Sequence, residues 1–204
     1  MTSEQRILEG SMELFKRYGI KGVTMDDIAK HLGISKKTIY FSYEDKDALV
    51  TELITLQLDS HIKAFDEIEA LSKNAIDEII GMMKHMGAEF SGINPNMFYD
   101  MQKYHPQAWI KFRVFKEDYI YKCVIKNLEK GQEQGFYRLD LNQKILAKLR
   151  LEQIEMAFNP VVFPPDKFNL SQVQVEILDH YLHGICTIKG HKLINKYKQI
   201  HEED

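Results

Sequence analysis

The chain has 204 residues, of which 44 % are hydrophobic and 28 % are charged, and its formal net charge is −3. This balance is typical of a soluble globular protein, and the length allows one or two domains with a substantial core. No stretch approaches about eighteen uninterrupted apolar residues, which excludes a transmembrane helix. The acidic net charge argues against a general nucleic-acid coat protein. We expect no signal peptide, and two widely separated cysteines predict a reducing cytoplasmic location.

The first element in chain order is an amphipathic helix over Ile7–Tyr18, which ends at Gly19. A second helix follows it. Thr24 is a good N-cap, and Asp27 completes an approximate capping box. Gly33 favours the left-handed residue that ends a helix. The spacing therefore predicts a short helix between Thr24 and Gly33.

A third helix begins after only a few more residues. Ser35 is its predicted cap, and Ile34 and Ile39 can form a hydrophobic staple around that cap. Two short helices joined by so tight a turn must cross sharply, which indicates a helix-turn-helix over residues 24–43. The expected partner is double-stranded DNA.

The position of the lysines supports this function. Lys36 and Lys37 occupy the first turn of a helix, where an exposed cation costs roughly 0.3–1 kcal/mol unless an anion docks there. Lys46 repeats the pattern after Asp45, the predicted cap of the next helix. Ordinary solvated surface explains any single lysine better, but the cluster favours DNA. The predicted DNA-binding residues are Thr24, Ser35, Lys36, Lys37, Thr38, Tyr40, Ser42 and Lys46.

The run SKKTIYFSYEDKDAL, residues 35–49, resembles the signature of the TetR family of transcriptional regulators. The matching positions are Thr38, Ile39, Tyr40, Lys46 and Ala48–Leu49. Lys37 and Ser42 depart from the pattern, which often has Gly and an aromatic residue there. The resemblance covers about the first fifty residues. It implies phosphate contacts by Thr24, Thr38, Tyr40 and Lys46, with Lys36 and Lys37 facing the major groove or its rim.

The rest of the chain predicts helices, because alternating apolar and polar runs bounded by turn residues are missing from it. The predicted fold class is all-α. An N-terminal three-helix DNA-binding domain is expected at residues 1–49, and a C-terminal helical domain for effector binding and dimerisation at residues 50–204. The predicted helices of this C-terminal domain are a long one that begins at Leu49 and further ones near 74–90, 95–104, 106–134 and 143–158. A proline-rich linker is expected at 159–166. The last helix is predicted to begin at its cap, Ser171, and to end at about Tyr197.

The middle of the chain is dense in aromatic and methionine side chains, which suit an adaptable apolar cavity. An ordinary helical core explains each residue alone better. TetR-like proteins generally have a ligand cavity here, so the resemblance implies a small, largely hydrophobic effector. The predicted pocket residues are Phe90, Met97, Phe98, Met101, Trp109, Phe112, Phe115 and Tyr119. His105, Lys111 and Arg113 are candidates to orient a polar group.

A helix-turn-helix protein usually dimerises to bind two half-sites. The resemblance implies a homodimer whose interface lies on the last two helices. The predicted interface residues are Leu149, Met156, Leu178, Leu182, Ile185 and Ile188. Core packing within one protomer explains some of these equally well, and we expect at least half of the apolar set on the last helix to contact the partner.

Enzymatic function is the rival class. The sequence contains no nucleophile elbow, P-loop, dinucleotide fingerprint or HExxH motif, so we expect no catalysis and no cofactor. His180, His183 and Cys186 have a spacing that could share a metal, but such residues are more often simply packed, and no metal is predicted. The expected function is a repressor that binds a palindromic operator and is released by its effector. An activator, a ligand-independent regulator and a protein-interaction module that does not bind DNA are the alternatives.

Overall fold

The computed structural model describes residues 2–90, 93–94 and 96–198. Over these ranges the chain folds almost entirely into helices, which confirms the all-α fold class. The helices are α1 Ser3–Tyr18, α2 Met25–Leu32, α3 Lys36–Ser42, α4 Lys46–Leu71, α5 Ala75–Phe90, α6 Met97–Tyr104, α7 Pro106–Val114, α8 Tyr121–Glu133, α9 Gln143–Ala157, α10 Leu170–Ile185 and α11 Ile188–Lys198. Within these ranges, none is both long and apolar enough to cross a membrane.

The predicted helix caps around the turn motif are confirmed. The Thr24 hydroxyl accepts a hydrogen bond from the backbone N–H of Asp27 at 3.2 Å, and the Asp27 carboxylate accepts one from the Thr24 N–H at 2.9 Å. Gly33 ends α2 with φ of 65°. The side chains of Ser35 and Asp45 each accept a hydrogen bond from the N–H three residues on, at 3.1 and 2.8 Å. Local side-chain chemistry therefore sets these boundaries.

The first three helices share their hydrophobic core with α4, α6 and α7. Ile7 and Ile28 are fully buried in this core, and Met101 of α6 and Phe112 of α7 belong to the same cluster. Helix α4 also spans the predicted boundary at residue 49. The helix-turn-helix is therefore packed directly on α4, α6 and α7 rather than attached by a linker.

The prediction of one last helix is wrong, because the backbone leaves the helix near Cys186. Arg138 N–H donates to the Ile185 carbonyl at 3.0 Å, and Thr187 N–H donates to the Phe136 carbonyl at 2.9 Å. These bonds satisfy the backbone of the turn that follows α8. A long-range pairing of this kind overrides the local helical pattern, and the segment becomes α10 and α11.

Two further boundaries differ from the sequence prediction. The helix expected over 106–134 contains a π-helical segment at Phe115–Ile120, between α7 and α8. Such segments often occur at functional sites. Helix α10 is capped by Asn169, whose side chain accepts a hydrogen bond from Gln172 N–H at 3.1 Å, and not by Ser171.

Gly131 of α8 allows the Tyr137 ring to pack closely against the helix. Tyr137 belongs to a second hydrophobic core cluster, separate from the one that contains Ile7 and Ile28. The Tyr137 ring lies directly against Gly131, so that an added Cβ would be 2.0 Å from Tyr137 Cδ2. Tyr137 is completely buried, and its hydroxyl donates to Asn127 Oδ1 at 2.9 Å. The ring is fixed at both ends and cannot move aside.

We predict that Gly131→Ala lowers the free energy of unfolding by about 1–3 kcal/mol, because overpacking a fixed ring forces strain. Gly184→Ala is the matched control, since a Cβ on this exposed helical glycine meets nothing within 4 Å. It should stabilise the protein by roughly 0.5–1 kcal/mol. Urea denaturation measures both. Equal effects of the two substitutions would contradict the packing argument.

Candidate nucleic-acid interface and apolar cavity

Helix α3 turns one face to the core and another to solvent. Ile39 is fully buried and anchors the helix. Lys37, Tyr40 and Phe41 have the i, i+3, i+4 spacing that places side chains on one face. All three are exposed, and Phe41 is 93 % exposed. This exposed face, Lys37–Tyr40–Phe41, is the surface that can enter a groove.

Phe41 is absent from the residues predicted from sequence. A large aromatic side chain so exposed on a monomer surface has no folding role, and apolar contact with a thymine methyl is a known mode of base recognition. The sequence does contain a sign of this exposure. Phe41 comes two residues after the buried Ile39, so it lies on the side of α3 where an amphipathic helix usually has polar residues.

Lys36 and Lys37 differ in their availability. Lys36 Nζ donates to the Asp26 carboxylate of α2 at 2.8 Å, and this hydrogen bond raises the pKa of Lys36. Lys37 is exposed, and no ion pair holds it within the described residues. A phosphate or base can therefore bind Lys37 without competing with an internal carboxylate.

Lys46 points inward rather than toward a DNA surface. Its ammonium donates to the Ile20 carbonyl at 2.5 Å and lies 5.8 Å from the centre of the Phe15 ring. Burial lowers the pKa of Lys46. The side chain thus completes the backbone hydrogen bonds after α1, which differs from the phosphate contact that the resemblance implies.

The remaining predicted DNA-binding residues lie at helix ends. Thr24 and Ser35 are exposed caps of α2 and α3. Thr38 is partly buried, with its hydroxyl 2.8 Å from that of Ser35. Ser42 is partly buried at the last position of α3. The Thr24 hydroxyl already donates to the Asp27 carboxylate at 2.6 Å. The hydroxyls of α3 and its cap are of the type that donates to phosphate oxygens.

A cavity of about 210 Å³ lies among α1, α4–α10 and the π-helical segment. Six of the eight predicted pocket residues line it, namely Phe90, Met97, Phe98, Met101, Phe112 and Phe115. Trp109 and Tyr119 are not in its walls. Trp109 stacks beside Phe112 at 5.2 Å between ring centres, and the Tyr119 hydroxyl donates to Asp66 at 2.7 Å. Both are held by contacts outside the cavity.

Methionine is concentrated in the cavity wall. Of the nine methionines in the chain, six line this space. They are Met12, Met82, Met83, Met86, Met97 and Met101. Unbranched thioether side chains repack at low cost, so these walls can adapt to an occupant larger than the empty volume.

The polar groups of the cavity differ from those predicted. Lys111 and Arg113 are exposed and outside its walls, while His105 pairs with Asp47. These candidates are therefore wrong. Two groups of polar side chains lie in its walls, Lys16, Gln57, His61 and Glu89 from α1, α4 and α5, and Arg150, Gln174 and Tyr181 from α9 and α10, and Lys116, Asn127 and Ser171 also line it.

Comparison with known proteins identifies the fold and the motif. Residues 7–53 match the family described as bacterial regulatory proteins, tetR family. The uncharacterized HTH-type transcriptional regulator YvaF of Bacillus subtilis is 28 % identical over 185 residues, which cover 89 % of this chain and 95 % of YvaF. Residues 7–53 form a helix-turn-helix domain of the TetR family. The chain is a helix-turn-helix transcriptional regulator.

Solved structures share this TetR-family fold over nearly the whole chain. A TetR-family regulator from Agrobacterium tumefaciens superposes with a TM-score of 0.74 at 15 % identity, covering 90 % of this chain and 97 % of the other. The regulator FadR from Bacillus subtilis, in complex with stearoyl-CoA, gives 0.66 at 16 % identity, covering 89 % and 98 %. At such low identity the likeness shows the fold alone.

The predicted dimer residues of this TetR-family protein divide into two groups. Leu178, Leu182 and Ile185 are 4 %, 3 % and 1 % exposed, so they fill the core of the protomer and present almost no surface to a partner. Leu149, Met156 and Ile188 are 48 %, 39 % and 78 % exposed. The first group needs correction as interface candidates, because it is packed within the protomer in the second core cluster, with residues of α5 and α8.

The side chains considered for metal binding do not converge. Cys186 is buried in the second core cluster, and burial raises the pKa of its thiol to about 12. His180 and His183 are exposed on α10, and Cys186 follows the end of that helix. No group of three His, Cys, Asp or Glu side chains suited to a metal occurs in the described ranges.

His61, which is buried on α4 at the cavity wall, pairs with the half-buried His85 of α5. His61 Nδ1 lies 3.1 Å from His85 Nε2. Burial, followed by the nearby His85, lowers the pKa of His61 from 6.5 to about 4. Between pH 6.5 and pH 4, His61 is therefore protonated in the unfolded chain but not in the folded protein. The free energy of unfolding falls as the pH drops through this range.

We predict that His61→Gln weakens this pH dependence. The fall in pKa from 6.5 to about 4 corresponds to roughly 3 kcal/mol at 1.36 kcal/mol per unit. The stability of wild type relative to the variant should drop by up to that amount between pH 7 and pH 4, measured by urea denaturation. The exposed His180→Gln should follow wild type. Parallel curves for wild type and His61→Gln would contradict the assignment.

Proposed function

We propose that this regulator is a homodimeric repressor, which occupies a palindromic operator through the Lys37–Tyr40–Phe41 face and leaves it when a small, largely hydrophobic effector enters the cavity. The exposed face supports groove binding, since its charge is free and its aromatic rings are uncovered. The stearoyl-CoA in the FadR structure supports a ligand with a long apolar chain for this fold.

One observation carries the link between cavity and DNA. Helix α6 lines the cavity with Met97 and Met101. On the same helix, Asp100 is buried and its carboxylate accepts a hydrogen bond from Lys21 N–H, directly after α1, at 2.8 Å. An occupant that displaces α6 therefore moves the backbone on which the helix-turn-helix is mounted.

Release then follows from a shift between two arrangements of the dimer. The half-sites of an operator lie on one face of DNA, roughly 34 Å apart. An effector that binds more tightly when α6 is displaced favours the arrangement whose α3 helices no longer match this spacing. An effector with equal affinity for both arrangements would release nothing.

The exposed face yields a direct test. We expect Phe41→Ala to weaken operator binding about 10-fold or more, since burying a Phe side chain is worth roughly 1.5–3 kcal/mol. Lys37→Ala should change the preference among operator variants, as expected for a base contact. Fluorescence anisotropy with labelled upstream DNA measures both, and Lys122→Ala, an exposed lysine on α8, is the control of equal charge.

Two outcomes would revise this assignment. One is that Lys37→Ala lowers the affinity for operator DNA and for random DNA by the same factor, with a slope of log affinity against log salt concentration that is smaller by about 1. That result would identify Lys37 as a phosphate contact. If Phe41→Ala binds the operator as tightly as wild type, the Phe41 ring does not contact DNA.

Release is tested by titrating medium-chain alcohols and carboxylates into the complex of protein with its upstream DNA. We expect at least one class to lower the affinity for DNA while the protein remains a dimer by sedimentation. If compounds bind the protein without changing DNA affinity, the ligand-controlled repressor is wrong and a ligand-independent regulator is favoured. Tighter DNA binding with ligand would indicate a corepressor instead.

A further inference from the structure

The α9–α10 wall of the cavity contains buried donors without acceptors. Arg150 Nη1, Gln174 Nε2 and the Tyr181 hydroxyl are all buried and have no hydrogen-bond partner among the described residues. All three residues line the cavity. Buried polar atoms are nearly always paired, so three orphaned groups in one wall require an explanation.

Arg150 is the costliest of the three. Its guanidinium is charged at neutral pH, although burial lowers its pKa to about 10. Removing a cation from water costs several kcal/mol unless an anion compensates it. Within the described residues no carboxylate forms an ion pair with it, and the neighbouring Tyr181 phenol is neutral at this pH, because burial raises the pKa of that phenol.

Lys116 provides the contrast within the same cavity. It is also buried, but its ammonium pairs with Glu155 and lies 3.7 Å from Glu152 and 3.6 Å from Glu117. The chain thus supplies anions where it needs only to neutralise a buried cation. At Arg150 it supplies none.

The nearest internal alternative is a neutral amide. Gln153, three residues after Arg150 on α9, has a buried side-chain oxygen that also lacks a partner. A rotation could join the two, but one neutral acceptor does not balance a full charge. It would also leave the Tyr181 hydroxyl without a partner.

The positions of the donors define a polar end of the cavity. The Arg150 guanidinium carbon lies 5.6 Å from the centre of the Tyr181 ring, which joins α9 to α10. Gln174 lies seven residues before Tyr181, about two turns along α10 on the same face. Most of the remaining lining residues are apolar, among them the Met and Phe side chains described above.

We infer that the effector is an amphiphile with a compact anionic headgroup, a carboxylate or a phosphate, bound by Arg150 and the Tyr181 hydroxyl, and with an apolar body among the methionines. This inference rests on the proposed effector function of the cavity and specifies its chemical class. A guanidinium and a hydroxyl together match the acceptor oxygens of such a headgroup, with charge-assisted hydrogen bonds.

The test compares ligands that share a decyl chain, by calorimetry at pH 8 with the full-length protein. Decanoate and decyl phosphate carry the anion, and 1-decanol lacks it. We expect at least one anion to bind about 10-fold or more tightly than the alcohol, as hydrogen bonds to charged groups imply. The better anion distinguishes a carboxylate from a phosphate site.

Variants of Arg150 assign the effect to its side chain. Arg150→Met should abolish the preference for the anion and leave 1-decanol binding unchanged, while Arg150→Lys should retain part of it. Without ligand, Arg150→Met should raise the melting temperature, because an unpaired buried charge disappears. Arg113→Met, at an exposed arginine on α7 outside the cavity wall, should behave as wild type.

The possible failures are distinguishable. Equal binding of decanoate, decyl phosphate and 1-decanol would overturn the anionic headgroup and leave the proposed apolar effector intact. No binding of any of them would overturn both. A lower melting temperature of Arg150→Met with loss of the dimer would show that the partner protomer neutralises Arg150, which would also overturn the inference.

Discussion

The hydrogen bonds at the junction after α1 determine how the helix-turn-helix is mounted. The Ile20 carbonyl accepts from the Lys46 ammonium of α4, and the Lys21 N–H donates to the Asp100 carboxylate of α6. Gly19 reaches this geometry with φ of 78°. A buried backbone group left unpaired costs about 1–3 kcal/mol. The chain between α1 and α2 is therefore fixed by side chains of two other helices, and the orientation of the DNA-binding unit depends on both of them.

Because of these hydrogen bonds, a displacement at the cavity can reach the exposed face of α3 without an additional connecting element. Met101 is at once part of the cavity wall and of the hydrophobic cluster that contains Ile7 and Ile28. A close-packed core has discrete arrangements and transmits displacement. An occupant that repacks the methionines must shift α6, and α6 carries Asp100 with it. The coupling is then as large as the difference in effector affinity between the two arrangements.

The sequence predicts what depends on neighbouring residues and fails where distant elements meet. The caps at Thr24, Ser35 and Asp45 are correct, because each is a bond to a backbone group three residues away. The break at Cys186 depends on pairing with the turn after α8, which no local pattern reveals. Arg150 likewise looks like an ordinary surface residue of an amphipathic helix. Only the packing of α9 on α10 and the cavity makes it an unpaired charge.

The charge distribution makes the proposed regulator depend on two half-sites. Residues 1–50 contain eight Lys and Arg and eight Asp and Glu, and Asp26 already neutralises Lys36 while Lys46 points inward. One protomer thus offers few free cations to phosphates, and its non-specific affinity for DNA should be weak. When two weak contacts are held together, the second is made at high effective concentration and dominates the total affinity. A small change in the spacing of the α3 helices removes that gain at once, so a modest movement of α6 is sufficient for release.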